Sequence, residues 1–457
     1  MPGASLWGFY HEESRLKGGS SQYWPPYKTI FCLTSSDPTL IIASNREAAT
    51  LPPPAWFLSV LKMEKMTMTL PVKQQEVLLA KGFSRRQIGR MASLLTAGAA
   101  LPFYNEFAMA QDAERRMMRG AGGAGRMNDP DMVRISSNEN PMGPCKEGVE
   151  AMATIAPLAW RYSPIGPHQD FSKTVAGIED VPEDHIAAFA GSSDPLHRCQ
   201  CAFTSPTHSW TMGDPGYGAG APAFIGSKLN KVPLRPDFSH DVEAMIKADP
   251  EAGAYYVCNP NNPSGTLTAR KDIEYLLNNK KNKDAVVVID EAYIHFSDHA
   301  QPASDLVAQG KDVVVLRTFS KIYGMAGIRA GFAMARPDLL AKLRPYGAGM
   351  QPVMGLTCAT ASMKVKGLVA ERRALCKNIR EDTFAFLEKK NIKYVPSEAN
   401  FFMMEVNRPG GEFAKAMAEN KVMIGRIWPA WPTKVRVTVG TQAEMLKFQA
   451  AVSKIMG

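Results

Sequence analysis

Short runs of apolar residues alternate with longer, helix-like stretches from about residue 185 onward. Three of these runs contain no charged position, namely residues 254–258, 285–289 and 313–316. Strands that are buried on both faces show such continuous apolar runs, whereas strands with one wet face alternate between apolar and polar residues. The alternation of these runs with helical stretches predicts an α/β fold with a mainly parallel sheet and crossover helices.

The first 83 residues carry no sustained helical or strand period and are rich in proline, serine and aromatic residues. We interpret residues 1–83 as a leader. If translation in the cell starts at Met63, Met66 or Met68, most of this leader is not made.

Residues 84–110 show the order of a secretory signal. Arg85 and Arg86 precede an uncharged, mostly small and apolar run from residue 91 to residue 102, and Ala108-Met109-Ala110 forms a small-x-small cleavage site. The tandem arginines indicate the twin-arginine type. An amphipathic helix with a chance arginine pair is the alternative. The apolar run is shorter than the ~20 residues that a membrane-spanning helix needs, so we expect no stable membrane insertion.

Residues 111–126 contain a sequence that mimics a nucleotide-binding motif. The segment from Gly120 to Gly125 fits the pattern G-x-G-x-x-G. That pattern binds a dinucleotide only between a strand and a helix. Here basic residues precede it and Asn128-Asp129-Pro130 follows it, so we interpret residues 111–126 as a linker.

The composition is that of a globular protein, with 45% hydrophobic and 21% charged residues in 457. The formal net charge of +9 is spread along the chain without long runs of like charge, so we expect no nucleic-acid partner. The seven cysteines include no C-x-x-C pair, and Cys199 and Cys201 would face different sides of a helix. We therefore predict neither a disulfide scaffold nor a metal site.

Each of the three apolar runs ends in a loop with chemically useful side chains. In order along the chain these are Asn262, Asp290, Tyr293, Thr318, Ser320 and Lys321. Ligands of open parallel sheets bind at the carboxyl ends of the strands, so we expect one shared site. Singly, each residue is ambiguous, because an aspartate after a strand is often a helix cap. Together, a nucleophilic lysine, a buried carboxylate and hydroxyls beside Arg329 describe a pyridoxal-phosphate site.

The chain resembles the fold-type I pyridoxal-phosphate aminotransferases, and most of all their histidinol-phosphate aminotransferase branch, from about residue 133 to the C-terminus. The motifs that carry the resemblance are Ser137-Asn138-Glu139-Asn140-Pro141, Gly191-Ser192-Ser193-Asp194, Asp214-Pro215-Gly216-Tyr217-Gly218, Asn259-Pro260-Asn261-Asn262-Pro263-Ser264-Gly265, Asp290-Glu291-Ala292-Tyr293, Phe319-Ser320-Lys321, Ser397-Glu398-Ala399-Asn400-Phe401 and Val435-Arg436-Val437-Thr438-Val439-Gly440. These motifs specify the family and its cofactor more closely than the substrate.

The resemblance implies a catalytic group of Lys321, Asp290 and Tyr293. Lys321 would bond covalently to the cofactor and move a proton during the reaction. Asp290 would keep the pyridine nitrogen protonated, which makes the ring an electron sink. Asn262 and Tyr293 would hydrogen-bond the ring oxygen, and Tyr217 would stack on the ring face.

The resemblance also places the cofactor phosphate at the start of a helix, where free N–H groups and the helix dipole favour an anion. The residues it assigns to the phosphate are Ser192, Ser193, Thr318, Ser320 and Arg329, after Gly191. Tyr162 matches a family tyrosine that reaches the phosphate of the neighbouring subunit, which implies a homodimer. Surface packing is the alternative role for Tyr162.

Arg436, Arg426 and Asn140 are the implied substrate residues. Arg436 resembles the arginine that holds a substrate carboxylate by a two-pronged pair. Arg426 occupies the place of a phosphate-contacting arginine of the family, with a solvated surface arginine as the alternative. Trp428 and Trp431 lie just before the Arg436 strand, where they would either fill the core or form an aromatic wall for the substrate.

The implied architecture is a large cofactor-binding domain over residues 165–345 and a smaller α+β domain built from residues 127–164 and 346–457. The implied reaction moves an amino group between an amino acid or amino-alcohol phosphate, such as histidinol phosphate, and a 2-oxo acid such as 2-oxoglutarate. A threonine-phosphate decarboxylase-like lyase shares the cofactor residues and is the alternative. A second alternative is a regulator that binds the cofactor without catalysis. Such a regulator would carry a DNA-binding helix-turn-helix, and residues 1–126 do not resemble one. The signal predicts a periplasmic protein, with a cytoplasmic location as the alternative.

Overall fold

The computed structural model describes residues 70–96, 131–162, 164–347 and 351–457, together with four short strands within residues 1–51. The chain forms two compact units, Met1–Thr69 and Leu70–Gly457. The first unit contains an antiparallel sheet with the strands in sequence order: β1 Leu6–Trp7, β2 Lys28–Leu33, β3 Pro38–Ala43 and β4 Ala48–Leu51. These strands have two to six residues, which is too short to give the sequence of the leader a sustained period.

The second unit contains every element that positions the site. Its strands are β5 Val133–Ile135, β6 Ile186–Phe189, β7 Trp210–Asp214, β8 Leu229–Pro233, β9 Ala254–Cys258, β10 Val286–Asp290, β11 Val313–Thr318, β12 Gly331–Met334, β13 Tyr394–Val395, β14 Phe401–Glu405, β15 Val422–Ile424 and β16 Lys434–Thr438. Its α-helices are α1 Val72–Ala80, α2 Arg85–Thr96, α3 Lys146–Ile155, α4 Pro167–Glu179, α5 Ser193–Phe203, α6 Gly220–Ile225, α7 Val242–Ala248, α8 Arg270–Asn279, α9 Ser304–Ala308, α10 Pro337–Leu343, α11 Val353–Met363, α12 Leu368–Lys389, α13 Gly410–Glu419 and α14 Gln442–Met456.

A mainly parallel sheet forms the centre of this unit. The order of its seven described strands is β6-β12-β11-β10-β9-β7-β8. Only β12 among them runs antiparallel to its neighbours. The three apolar runs of the sequence are β9, β10 and β11, which lie side by side in the middle and are buried at every position. The predicted α/β fold is therefore confirmed.

Successive residues of the central strands serve two separate apolar cores. In β9, Tyr255 and Val257 belong to the core on one face of the sheet, whereas Tyr256 and Cys258 belong to the core on the other. Side chains alternate between the faces of a strand, and helices cover both faces here, so both sets must be apolar. This double burial explains why the runs in the sequence are continuous.

The smaller part of the unit combines two distant stretches of the chain. β5 pairs in parallel with β15, and Val133 lies opposite Val422. β13, β14 and β16 form an antiparallel sheet, and α14 closes the same apolar core. α14 begins with a capping box in which Thr441 and Glu444 each bond the other's backbone N–H, which fixes the helix start.

The two helices before the catalytic domain pack against it. Leu78, Phe83 and Met91 are at most 2% exposed and join the apolar core that contains α5 and α6. Gln87 Nε2 also donates a 3.1 Å hydrogen bond to the carbonyl oxygen of Gly226. Residues 70–83, which the sequence assigned to the leader, thus belong to the same compact unit as the catalytic domain.

The rest of the predicted signal is only partly visible in this structure. Residues 108–110, with the expected cleavage site, and the linker at residues 111–126 lie outside the described residues. Within the described part of the chain, no helix is long and apolar enough to cross a membrane.

Candidate active site

A cavity of about 200 Å³ opens where β9, β10 and β11 end. The residues predicted from the sequence that line it are Ser192, Ser193, Tyr217, Asn262, Asp290, Tyr293, Thr318, Ser320, Lys321 and Arg329. The carboxyl ends of adjacent parallel strands meet at one edge of the sheet, which brings these distant residues together. The structure therefore builds one site from the three predicted strand ends.

Lys321 lines the cavity and is only 7% exposed. Its Nζ donates to the carbonyl oxygens of Asn138, at 3.2 Å, and Ser137, at 3.4 Å. Nζ also lies 5.4 Å from the centroid of the Tyr293 ring. These contacts hold the amine in place through neutral groups, which leaves it able to react as a nucleophile once it is deprotonated.

Asp290 ends β10 and is 3% exposed. Its Oδ2 accepts a 2.9 Å hydrogen bond from the Tyr256 hydroxyl, and its Oδ1 accepts one of 3.1 Å from the backbone N–H of Ala292. Burial, and then the charge of Asp290, raise the pKa of Tyr256 well above its usual value, so the hydroxyl remains a donor. The two bonds fix the orientation of the Asp290 carboxylate, which lines the cavity.

Tyr256 was missed in the sequence analysis, although a signal for it existed. Cys258 lies opposite Asp290 in the register of β9 and β10, and Tyr256 precedes Cys258 by two residues. Residues two apart on a strand share a face. A tyrosine at this position is therefore placed to reach the carboxylate of the neighbouring strand.

The hydroxyl of Tyr293, which also lines the cavity, accepts hydrogen bonds from two amide groups. It accepts from Asn138 Nδ2 at 3.1 Å and from Asn262 Nδ2 at 3.3 Å. Asn262 Oδ1 in turn accepts a 2.9 Å bond from Arg436 Nη1. A hydrogen-bond network therefore connects Tyr293 and Asn262 at the cavity to Arg436 on β16.

Asn138, and not Asn140, is the asparagine of its motif that the structure brings to this network. Asn138 is fully buried, with a left-handed backbone (φ 54°) that asparagine tolerates better than most residues. Asn140 Nδ2 instead donates to the carbonyl oxygen of Ile322 at 2.9 Å, and Asn140 lines a separate apolar pocket. The substrate role predicted for Asn140 has no support in this geometry.

Arg329 lies at the end of the cavity beside the start of α5. Its Nη1 donates to Ser320 Oγ at 3.1 Å and to the Ala326 carbonyl at 2.8 Å, and its Nη2 donates to the Ala190 carbonyl at 2.9 Å. The Thr318 hydroxyl donates to Ser320 Oγ at 2.9 Å. A Cβ atom at Gly191, where φ is +89°, would come within 2.3 Å of Arg329 Nη2, so the loop requires glycine there.

The electrostatics of this end favour a phosphate. Burial lowers the pKa of Arg329, because its charge is desolvated and its hydrogen-bond partners above are neutral. Asp194, one residue into α5, is paired with Arg198 at 2.7 Å. A half-buried guanidinium beside a helix start, with hydroxyls around it, fits a dianion.

Arg436, Arg426 and Trp428 form a cluster next to the network. Arg436 is 3% exposed, and its Nη2 also donates to the Ser136 carbonyl at 3.0 Å. The guanidinium carbons of Arg426 and Arg436 lie 4.1 Å and 5.4 Å from the centroid of the Trp428 ring. Neither arginine lines the cavity itself. Arg436 reaches it through Asn262.

Tyr162 lies on the surface and does not line the cavity of its own chain. Its side chain is 87% exposed. The contact that the sequence predicts for Tyr162 involves a neighbouring subunit and stays a prediction.

Behind the cavity, a buried ion network joins the ends of β10 and β11. Arg317 Nε lies 2.6 Å from Glu291 Oε2, and its Nη1 lies 2.8 Å from Glu179 Oε1. Glu291 follows Asp290, and Arg317 precedes Thr318, so the network fixes the positions of two site residues. No local sequence pattern predicts this network, because opposite charges 26 residues apart become neighbours only when the two strands pair.

The arrangement fits pyridoxal phosphate. When bound, this cofactor supplies an aldehyde that reacts with amines and a ring that takes up electrons. Lys321 offers the amine, Asp290 the carboxylate for the ring nitrogen, and Tyr293 the hydroxyl for the ring oxygen. Arg329 and the start of α5 provide the phosphate site. The fold and the site together define a pyridoxal-phosphate-dependent enzyme.

Comparison with known proteins identifies its family. The profile of the aminotransferase class I and II family matches residues 130–452, and the chain belongs to this family. It is 30% identical over 335 residues to a histidinol-phosphate aminotransferase of Symbiobacterium thermophilum, which covers 72% of this chain and 91% of that protein. It is 31% identical over 329 residues to an aromatic amino acid aminotransferase of Cutibacterium acnes, with 70% and 91% covered.

A solved structure extends the comparison to the fold. The histidinol-phosphate aminotransferase of Sinorhizobium meliloti, in complex with pyridoxal 5'-phosphate, superimposes with a TM-score of 0.65 at 22% identity, covering 74% of this chain and 96% of that one. The predictions of a fold-type I enzyme, of pyridoxal phosphate as cofactor and of aminotransferase activity are confirmed.

Proposed function

We propose that the enzyme transfers an amino group from a donor of the histidinol-phosphate class to a 2-oxo acid such as 2-oxoglutarate. The observation that carries this proposal is that Arg426 and Arg436 both place their guanidinium groups over the Trp428 ring, at 4.1 Å and 5.4 Å from its centroid. Guanidinium groups bind carboxylates and phosphates alike through two parallel hydrogen bonds. One site can therefore accept a phosphate in the first half-reaction and a carboxylate in the second. The Symbiobacterium relative supports this donor class.

An aromatic amino acid is the second candidate donor. The indole of Trp428 lies beside Arg436. In this proposal Arg436 binds amino acids and 2-oxo acids alike, through the carboxylate that both carry. The Cutibacterium relative acts on aromatic amino acids by its name.

The donor is identified by following the absorbance of the bound cofactor in the full-length protein with one amino compound at a time. Histidinol phosphate is expected to convert the cofactor to its amine form, and 2-oxoglutarate to restore the aldehyde form. Conversion by phenylalanine or tyrosine but not by histidinol phosphate would select the second candidate. Release of CO₂ from threonine phosphate, with no need for a 2-oxo acid, would select the decarboxylase alternative.

We infer that the enzyme works as a homodimer. Trp160, Tyr162 and Ile165 are 72%, 87% and 103% exposed, which is unusual for large apolar side chains so close together in sequence. We infer that a second copy of the chain covers this surface, because the family tyrosine that Tyr162 matches acts in the site of the neighbouring subunit.

Mixing two variants tests this inference. Lys321→Ala lacks the amine, and Tyr162→Ala lacks the contact with the neighbour. In a mixed dimer, the site with an intact Lys321 receives its tyrosine from the Lys321→Ala chain. The mixture is expected to become active at a lower pyridoxal-phosphate concentration than Tyr162→Ala requires by itself. A monomer by light scattering, or no effect of mixing, would contradict the inference.

We also propose that residues 84–110 direct export to the periplasm. The order of arginines, apolar run and cleavage site supports this, and Arg85 and Arg86 are exposed on α2. Ile88, Met91 and Ala92 of α2 are buried in an apolar core of the catalytic unit. Replacing both arginines with lysine keeps the charge and removes the planar groups. Wild type is expected outside the cytoplasm, cut after Ala110, and the double variant inside and uncut.

Finding wild type uncut and only in the cytoplasm would contradict the export proposal. The helices α1 and α2 would then be a permanent part of the enzyme. Peptide mapping of the cell-made protein tests the start of translation, because recovery of residues 1–60 would exclude a start at Met63, Met66 or Met68.

A further inference from the structure

Trp428 contacts three parts of the site at once. The face of its ring lies under the guanidinium groups of Arg426 and Arg436, at 4.1 Å and 5.4 Å. Its edge donates a 3.3 Å hydrogen bond from Nε1 to the carbonyl oxygen of Gly216. Gly216 directly precedes Tyr217, which lines the cofactor cavity.

The surroundings of Trp428 make these contacts strong. The residue is 5% exposed and packs against Val395 and Met403 of the small domain. A cation over an indole gains most when water is excluded. Only glycine fits at position 216, since a Cβ atom there would lie 2.5 Å from the Gly213 carbonyl oxygen.

We propose that Trp428 is a positioning residue that couples the anion-binding arginines of the small domain to the Tyr217 loop of the large domain. Its ring face orients Arg426 and Arg436 for a substrate carboxylate or phosphate. Its Nε1–H fixes the loop that presents Tyr217 to the cavity. Trp428 thereby ties recognition of the substrate anion to the geometry at the cofactor. The inference rests on the proposed function in so far as these arginines bind the substrate anion.

Trp431 provides a matched control in the same loop. Its ring contacts Phe238 edge-on, with the centroids 5.4 Å apart, and Lys434 Nζ at 5.9 Å. Both tryptophans join one small apolar cluster, and their backbones pair with each other. A general loss of packing in this loop would therefore affect both positions, whereas a loss of arginine orientation affects only Trp428.

The test is the dissociation constant of 2-oxoglutarate, measured by calorimetry on the full-length, cofactor-loaded protein. Trp428→Leu removes the ring face and is expected to weaken binding by about 5- to 30-fold. Trp431→Leu is expected to change it by less than about 2-fold. Equal binding by Trp428→Leu and wild type, or equal weakening by the two Leu variants, would overturn the inference.

A second variant separates the face of the ring from its N–H group. Trp428→Phe keeps an aromatic face and loses the bond to Gly216. We expect 2-oxoglutarate binding within about 3-fold of wild type, together with a shifted absorption maximum of the bound cofactor and a lower kcat at unchanged KM. If Trp428→Phe has the spectrum and the kcat of wild type, the coupling of Trp428 to Tyr217 is overturned. This test remains valid even if Trp428→Leu does not fold. A wild type that binds no 2-oxo acid would instead overturn the proposed anion site.

Discussion

The buried network behind the site makes a sharp prediction about stability. Arg317 is 3% exposed, Glu291 is 1% exposed, and they approach to 2.6 Å. In Arg317→Met, Glu291 would keep one described hydrogen bond, from the backbone N–H of Ala303 at 2.7 Å. Removing one partner of a buried ion pair costs about 3–5 kcal/mol, because the other charge stays desolvated. We therefore expect the free energy of unfolding to fall by about that amount at pH 8.

The same variant has a defined pH dependence. Burial raises the pKa of Glu291, and Arg317 offsets this only in part. A carboxyl group with a raised pKa in the folded state destabilises the fold as pH rises through its ordinary range. Without Arg317 the pKa rises further, so the loss of stability is large at pH 8 and smaller at pH 5, where Glu291 takes up a proton.

The measurement is urea-induced unfolding of the cofactor-free, full-length protein at both pH values. Lys146→Met is the control, since Lys146 pairs only with Glu150 among the described ion pairs, at 3.7 Å on the surface, and its loss should cost no more than about 1 kcal/mol. Adding Glu291→Gln to Arg317→Met should recover part of the loss, because the unpaired charge is gone. A loss below about 1 kcal/mol at pH 8, or one that grows towards pH 5, would refute this reasoning.

Three further predictions concern the cavity. Lys321→Ala should abolish turnover and leave the fold intact, and borohydride reduction of wild type should fix the cofactor to the peptide with Lys321 and to no other. Asp290→Asn should lower kcat by several orders of magnitude with the cofactor still bound, and a near-normal rate would exclude an electron-sink role. Tyr256→Phe should lower the free energy of unfolding of the cofactor-free protein by about 1.5–3 kcal/mol, because a buried carboxylate loses a donor. Tyr255→Phe, which loses only a 3.4 Å bond to a backbone carbonyl, should cost less, and equal losses in urea unfolding would contradict the assignment.

Patterns in the sequence predicted the centre of the site because parallel strands end at a common edge. That rule alone predicts that Asn262, Asp290 and Lys321 lie close together, because they come after the apolar runs that end at residues 258, 289 and 316. Local order in the sequence was sufficient here, since Asp290 ends its strand and Asn262 and Lys321 follow theirs within a single short loop.

The contacts that the sequence did not reveal are those between elements. The bond from Tyr256 to Asp290 depends on the register of two strands, and the pair of Arg317 and Glu291 does as well. The choice of Asn138 over Asn140 depends on a single left-handed residue, which a motif does not show. The burial of α1 depends on a surface formed by α5 and α6, more than 100 residues away.

The pairing of β5 with β15 has a consequence for the order in which the enzyme is assembled. Val133 pairs with Val422, which is synthesised nearly 300 residues later. During synthesis from the N-terminus, the central sheet is complete at Met334, long before the ribosome reaches β15 and Arg436. A nascent chain therefore synthesises the strands around the cavity first and Arg436 on β16 among the last elements. Chains that stop before residue 422 would retain those strands together with an unpaired strand at residues 133–135, a form that proteases and chaperones can distinguish from the finished enzyme.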